Sequence, residues 1–129
     1  FVELLRSHME KSSSIHNREQ LGLYQKIAPA VCKMREEYTR PFSLDELASV
    51  CNMSRFYFCR IFKQAMGTTP LQYQTDYRLK IADILLCRPE WNISQIAQAT
   101  GFESESYFSR CYKKSRGVSP QKSRAILCK

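Results

Sequence analysis

Residues 43–73 read SLDELASVCNMSRFYFCRIFKQAMGTTPLQY, and residues 92–123 read NISQIAQATGFESESYFSRCYKKSRGVSPQKS. From Ser54 and Ser104 onward they match at an offset of fifty: Phe58 with Phe108, Arg60 with Arg110, Lys63 with Lys113, Gly67 with Gly117 and Pro70 with Pro120. Before that point the offset is forty-nine, pairing Leu44 with Ile93, Leu47 with Ile96 and Ala48 with Ala97. One supersecondary unit is therefore used twice, and the extra residue of the second copy falls in a turn.

Each copy resolves into two short helices with their own start and stop signals. Ser43 with Glu46 forms a capping box, and Asn92 with Gln95 is a close relative, so both first helices begin there. After turns through Asn52-Met53 and Gly101-Phe102, Ser54 and Ser104 are N-cap candidates for the second helices. Gly67 and Gly117 suit the left-handed position that ends a helix. Thr69-Pro70 and Ser119-Pro120 then place a cap before a proline at the first helical position. This punctuation predicts an all-α fold with two helix-turn-helix units, about 43–67 and 92–117, joined by a linker helix over about 70–87. That linker lacks Gly and internal Pro, and its Leu79, Ala82, Leu85 and Leu86 share one face. At 1.5 Å per residue it spans about 27 Å, on the scale of the roughly 34 Å between successive major-groove faces of a duplex.

Upstream, Tyr24, Ile27, Ala28, Val31 and Met34 recur near helical spacing, which predicts a supporting helix over about 24–38 with Pro29 near its first turn. Phe1 to Met9 is read as the end of an amphipathic helix and the polar, Ser-rich stretch from Glu10 to Gln20 as a linker. Residues 1–20 are thus expected to be a tail and tether, and residues 21–129 the domain proper. Since the chain opens with Phe1, a longer protein is expected around it.

The 129 residues carry a net charge of +8, unevenly placed. Residues 1–38 hold six Lys/Arg against five Asp/Glu, and residues 39–129 hold fourteen against seven. The surplus therefore belongs to the repeat, where it favours a polyanionic partner through counterion release. Of the six cysteines, no two are closer than eight residues and no CxxC pair exists, so neither a metal site nor a cofactor is expected. Cys32, Cys51, Cys87 and Cys111 fall in or beside apolar stripes and are read as reduced core thiols in a cytoplasmic protein. The longest apolar run, Ile84 to Cys87, is far too short for a bilayer.

The second helix of each unit has two faces. Phe58, Ile61, Phe62 and Ala65 form an apolar stripe in the first, and Phe108, Cys111 and Tyr112 in the second. Opposite them stand Phe56, Cys59, Arg60 and Lys63, and Glu105, Ser106, Ser109, Arg110 and Lys113. Arg60 and Arg110 can each donate two hydrogen bonds to guanine O6 and N7. Ser106 and Ser109 are short enough to let the helix approach a groove. Phe56 can pack on thymine methyls or sugars, and Glu105 either accepts from cytosine N4 or favours the helix N-terminus. Lys63, Lys113, Lys114 and Arg116 are read as phosphate ligands. A basic stripe on one helix is ordinarily a solvated face; two stripes with matching Arg and Lys positions are harder to explain by solubility alone.

Ile96-Ala97, Gly101-Phe102, Ser104, Tyr107-Phe108-Ser109-Arg110, Lys113, Gly117 and Ser119-Pro120 together resemble the AraC/XylS family of bacterial transcription regulators, over about residues 24–127. The resemblance implies a seven-helix DNA-binding domain on an asymmetric promoter site, contact with RNA polymerase, and a separate upstream domain that would take any small-molecule effector. It implies base contacts from Arg55, Phe56, Cys59 and Arg60 and from Glu105, Ser106, Ser109 and Arg110. With Ser104, Lys63 and Lys113 these complete the expected DNA-binding set. The sequence departs from the family pattern at Cys59, at Tyr112 in place of Phe, and at Ser123 in place of Tyr, the last bearing on the packing of the final helix. An enzyme is the rival class, but His8 and His16 lie in the tail and no cysteine has a neighbouring histidine or paired carboxylates. A redox switch at Cys59 and a protein-interaction module also compete; arginine at both 60 and 110 speaks against the latter.

Overall fold

A computed structural model describes residues 14–127, with side chains from Arg18 onward. Its described residues form seven helices and no strand: α1 (Ser14–Glu36), α2 (Leu44–Val50), α3 (Arg55–Met66), α4 (Pro70–Leu86), α5 (Ile93–Ala99), α6 (Glu105–Arg116) and α7 (Pro120–Leu127). They fall into two units. One holds the chain up to Cys32 together with residues 43–70; the other holds residues 33–42 and everything from Leu71 on.

In the first unit the expected caps form. Ser43 is extended and its side chain accepts from the Glu46 N–H at 3.1 Å; Ser54 accepts from the Tyr57 N–H at 3.3 Å. Between these helices the chain turns through Asn52, whose φ is +57°, and the Met53 N–H returns to the Ala48 carbonyl at 2.9 Å. Gly67, at φ +76°, stops α3 and donates to the Lys63 carbonyl at 2.8 Å. Ile27, Ala30 and Val31 of α1, Leu47 and Ala48 of α2, and Phe58, Ile61 and Phe62 of α3 are buried. Each of the larger side chains contributes about 1.5–3 kcal/mol on leaving water.

Helix α1 differs from its expected extent. It starts at Ser14 rather than near Tyr24, so part of the stretch read as a tether is helical, and Pro29 lies deep inside it. Two causes are visible. Gln20 donates through Nε2 to the Gln64 and Ala65 carbonyls at 3.1 and 2.8 Å, anchoring α1 on the C-terminal turn of α3. Ile27, Ala30, Val31 and Met34, at i, i+3, i+4 and i+7, are all buried, with Ala30 taking the place expected of Ala28. Their burial outweighs the roughly 3 kcal/mol that an internal proline costs. The stretch Phe1–Met9 and Cys128 lie outside the described residues.

The second unit repeats the plan with tighter closures. Asn92 and Gln95 form a reciprocal capping box, at 2.7 Å from Asn92 Oδ1 to the Gln95 N–H and 2.9 Å from Gln95 Oε1 to the Asn92 N–H. Ser104 caps α6, Gly117 ends it at φ +82°, and Ser119 accepts from the Lys122 N–H at the start of α7. Phe102 donates to the Ala97 carbonyl as Met53 does to Ala48, and Gly101 has positive φ where Asn52 does. The turns therefore match through Phe102, and the extra residue is Glu103. A Cβ on Gly101 would lie 2.7 Å from Thr39 Cα, so glycine is required there by space as well as by φ.

Leu79, Ala82 and Leu86 of α4, Ile93, Ile96 and Ala97 of α5, and Phe102, Phe108 and Tyr112 build one buried cluster, with Leu85, Trp91 and Cys111 packed against it. Polar side chains tie off exposed helix ends around it. Arg78 donates to the Tyr38 carbonyl at 2.7 Å and Gln74 to that of Arg40 at 2.8 Å; Arg124, fifty residues after Gln74, donates to the carbonyls of Leu86 and Trp91. The described cysteines are free, but Cys32 and Cys87 are exposed rather than in the core. Each sits one position off its helix's buried stripe, where an apolar residue type alone does not secure burial. Cys51 is half-buried, and its thiol pKa is pushed up by desolvation.

Candidate nucleic-acid interface

The buried stripes of α3 and α6 decide what faces outward. With Phe58, Ile61 and Phe62 turned inward, α3 presents Arg55, Phe56, Arg60 and Lys63, all exposed, with Cys59 half-buried beside them. Phe56 is 84% exposed, an unusual cost for a phenylalanine that the first unit does not recover within itself. In α6, Phe108 and Tyr112 are buried, Glu105, Ser106, Arg110 and Lys113 are exposed, and Ser109 is half-buried. Cys59 and Ser109 are repeat equivalents at the same depth. Each unit thus brings its own expected residues onto one helix face.

The four arginines of these helices divide into two kinds. Arg55 pairs with Asp45 at 3.6 Å, both well exposed. Arg116 is held by Asp83 at 2.8 Å and lies over the Tyr112 ring. Its charge is thus already paired inside the second unit. Arg60 and Arg110 have no hydrogen-bond or ion-pair partner among the described residues. Each instead lies over a tyrosine ring three residues earlier, Arg60 over Tyr57 at 5.4 Å and Arg110 over Tyr107 at 5.7 Å from guanidinium carbon to centroid.

Ser104 has a structural duty: its Oγ accepts from the Tyr107 N–H at 3.0 Å and fixes where α6 begins. Glu105 sits in the first turn of α6, where a carboxylate complements the helix dipole. The family departures at 112 and 123 explain each other. The Tyr112 hydroxyl reaches Asp83 Oδ1 and Ser123 Oγ, both at 2.7 Å, so a small hydroxyl residue on α7 leaves room for a phenol on α6. Burial, chiefly, raises the Tyr112 pKa. Tyr57 and Tyr107 escape the sequence reading as site residues. Their signal is nonetheless present: Tyr and Arg at i, i+3 in both repeats, at the offset of fifty.

Among the described residues no group of His, Cys, Asp and Glu is placed to hold a metal ion, and no helix is long and apolar enough to cross a membrane. A family model described as a helix-turn-helix domain matches residues 47–126. A transcriptional regulator from Chromobacterium violaceum, of the AraC-type DNA-binding domain proteins, shares 35% identity and a TM-score of 0.73 over 81% of this chain and 94% of its own. This chain belongs to the AraC/XylS family. The AraC-type fold accounts for all seven helices. The DNA-binding domain of AdpA, solved in complex with a target DNA, matches at a TM-score of 0.72 and 29% identity, over 78% of this chain and 90% of that one. AlkR of Acinetobacter baylyi is 30% identical over 94% of this chain, and ArgR of Pseudomonas aeruginosa 34% identical over 95%. The chain spans 40% of the length of AlkR and 37% of that of ArgR.

Proposed function

We propose that this AraC-type domain is the DNA-binding part of a cytoplasmic transcription regulator, seating α3 and α6 in successive major grooves of an asymmetric promoter site. The observation that carries the reading is the pair of guanidiniums without a hydrogen-bond or ion-pair partner among the described residues, Arg60 and Arg110, at the same repeat position and on exposed faces opposite buried stripes. Arg60 and Arg110 contact guanine edges. Phe56 and Cys59 add apolar contacts in the first unit, whereas Glu105, Ser106 and Ser109 add polar ones in the second. Arg55 adds a further base contact from the first turn of α3, and Lys63 and Lys113 hold phosphates, which adds affinity without sequence information; Ser104 approaches the backbone from the α6 terminus. The 17 residues of α4 give about 26 Å of helix, which suits a one-turn separation.

In this reading the regulator acts chiefly as an activator through RNA polymerase, and an effector acts on a domain outside these residues, to which residues 1–20 are the tether. Selection of bound duplexes from a random library about three helical turns long tests the core of it. Enrichment of two sequence blocks about one turn apart is expected. Binding that falls steeply with salt yet enriches no sequence would reduce the domain to a phosphate clamp.

A further inference from the structure

Tyr57 and Tyr107 have no role in the proposed DNA contacts, although each lies one helical turn before an arginine that does. Helical side chains lean toward the N-terminus of their helix, which carries each guanidinium back over the ring three residues earlier. The two stacks are nearly identical, 5.4 and 5.7 Å, in units whose outward residues otherwise differ. Both rings reach the surface: Tyr57 is 36% and Tyr107 39% exposed.

We propose that Tyr57 and Tyr107 are positioning residues for base recognition, each ring a shelf that holds the following arginine flat with its donor fork free. The inference rests on the reading of Arg60 and Arg110 as base contacts. Stacking engages the π face of a guanidinium, whereas its hydrogen bonds lie in its plane, so the stack and a bidentate contact to one base coexist. A long arginine that is already held loses less side-chain freedom on binding. Of the other two arginines of these helices, Arg116 is instead held by Asp83 at 2.8 Å and Arg55 lies 3.6 Å from the exposed Asp45. Tyr107 is the firmer shelf: its ring packs on Phe102 at 6.0 Å, and its hydroxyl bonds with Cys111, the main cause of its raised pKa.

The test titrates wild type, Tyr57→Phe, Tyr57→Leu, Arg60→Ala and the double variant Tyr57→Leu, Arg60→Ala against two duplexes: the one the library enriches, and the same with the first-block guanine replaced by adenine. A cation–π contact at an exposed site is worth about two- to fivefold in an equilibrium. Tyr57→Leu is expected to lose that much of the ratio between the duplexes, with unchanged affinity for the altered one. Tyr57→Phe, which keeps the ring, discriminates like wild type, and in the Arg60→Ala background the leucine has no further effect. Full discrimination by Tyr57→Leu, equal weakening on both duplexes, or a loss that persists without Arg60 overturns the proposal. If Arg60→Ala itself leaves discrimination intact, the base-contact reading falls first and the shelf with it. The corresponding variants at Tyr107 and Arg110 repeat the test on the second unit, with helical circular dichroism as the check on folding.

Discussion

The two helix-turn-helix units are built alike cap for cap, yet their outward faces share little beyond Arg and Lys. Serine caps and a left-handed glycine bound α3 and α6 at equivalent positions, and the turns before them carry the same backbone bond. Beside that scaffold the first unit exposes Phe56 next to a half-buried Cys59, the second Glu105 and Ser106 next to a half-buried Ser109. Architecture is thus carried by a few positions with strict backbone or burial demands, and the rest of the helix surface is released to differ. The shared Tyr-x-x-Arg pair is the exception: it repeats at the edge of the outward face, with the arginine over the ring in both units.

Where the units differ in closure, substitution should separate them. Gly101→Ala is expected to have the largest effect, about 3 kcal/mol or more, because it combines a strained φ of +90° with a Cβ 2.7 Å from the Thr39 backbone. At the equivalent position of the first unit a non-glycine residue already stands, and Asn52→Ala should cost only about 1–2 kcal/mol. Urea denaturation of both variants measures the contrast. Next, Asp83→Ala removes the ion-pair partner of Arg116 and one of the two hydrogen-bond partners of the Tyr112 hydroxyl and should cost about 1–3 kcal/mol. No fall in melting temperature for that variant would show that the Tyr112 network is ornamental. Smaller still is the difference between caps. Asn92→Ala breaks the 2.7 Å bond from the Gln95 N–H and Ser43→Ala the 3.1 Å bond from the Glu46 N–H, each costing about 0.5–2 kcal/mol, with Asn92, whose bond is shorter, the larger.

A pH titration sharpens the same contrast. The folded pKa of Tyr112 is raised, so its contribution is fully present below the unfolded phenol value, about 10, and is lost as pH climbs through the folded value. Stability of the second unit should therefore hold through neutral pH and decline above about 10, and Tyr112→Phe should soften that decline. An unchanged alkaline profile in the phenylalanine variant would remove Tyr112 as its source.

Much of this is legible in the sequence because its signals are local. A cap, a proline at a first helical position and a glycine at a helix end each report on three or four neighbouring residues, and the repeat supplies two independent readings of every one. The start of α1 is not legible, because its cause is the distant contact of Gln20 with the end of α3. The polar composition of residues 14–20 gives no helical signal, and a linear reading has no access to that tertiary contact. Burial of cysteines fails for a related reason: Cys32 and Cys87 are apolar by type but lie one position off the stripe that faces inward. Arg116 shows the limit at the site itself. Its neighbours suggest a phosphate ligand, while its partner Asp83 lies thirty-three residues away on α4. Pairing between helices separates the arginines that have a carboxylate partner from those that do not, and no linear spacing reports it.

In the proposed function each unit reads its own bases through one arginine, Arg60 in the first and Arg110 in the second. Selection from the random library with Arg60→Ala and Arg110→Ala beside the wild type tests it most directly. Each variant is predicted to blur one block of the motif, a different block for each, while the other block survives. Recovery of the full wild-type motif by both variants, or loss of the same block in both, would contradict it.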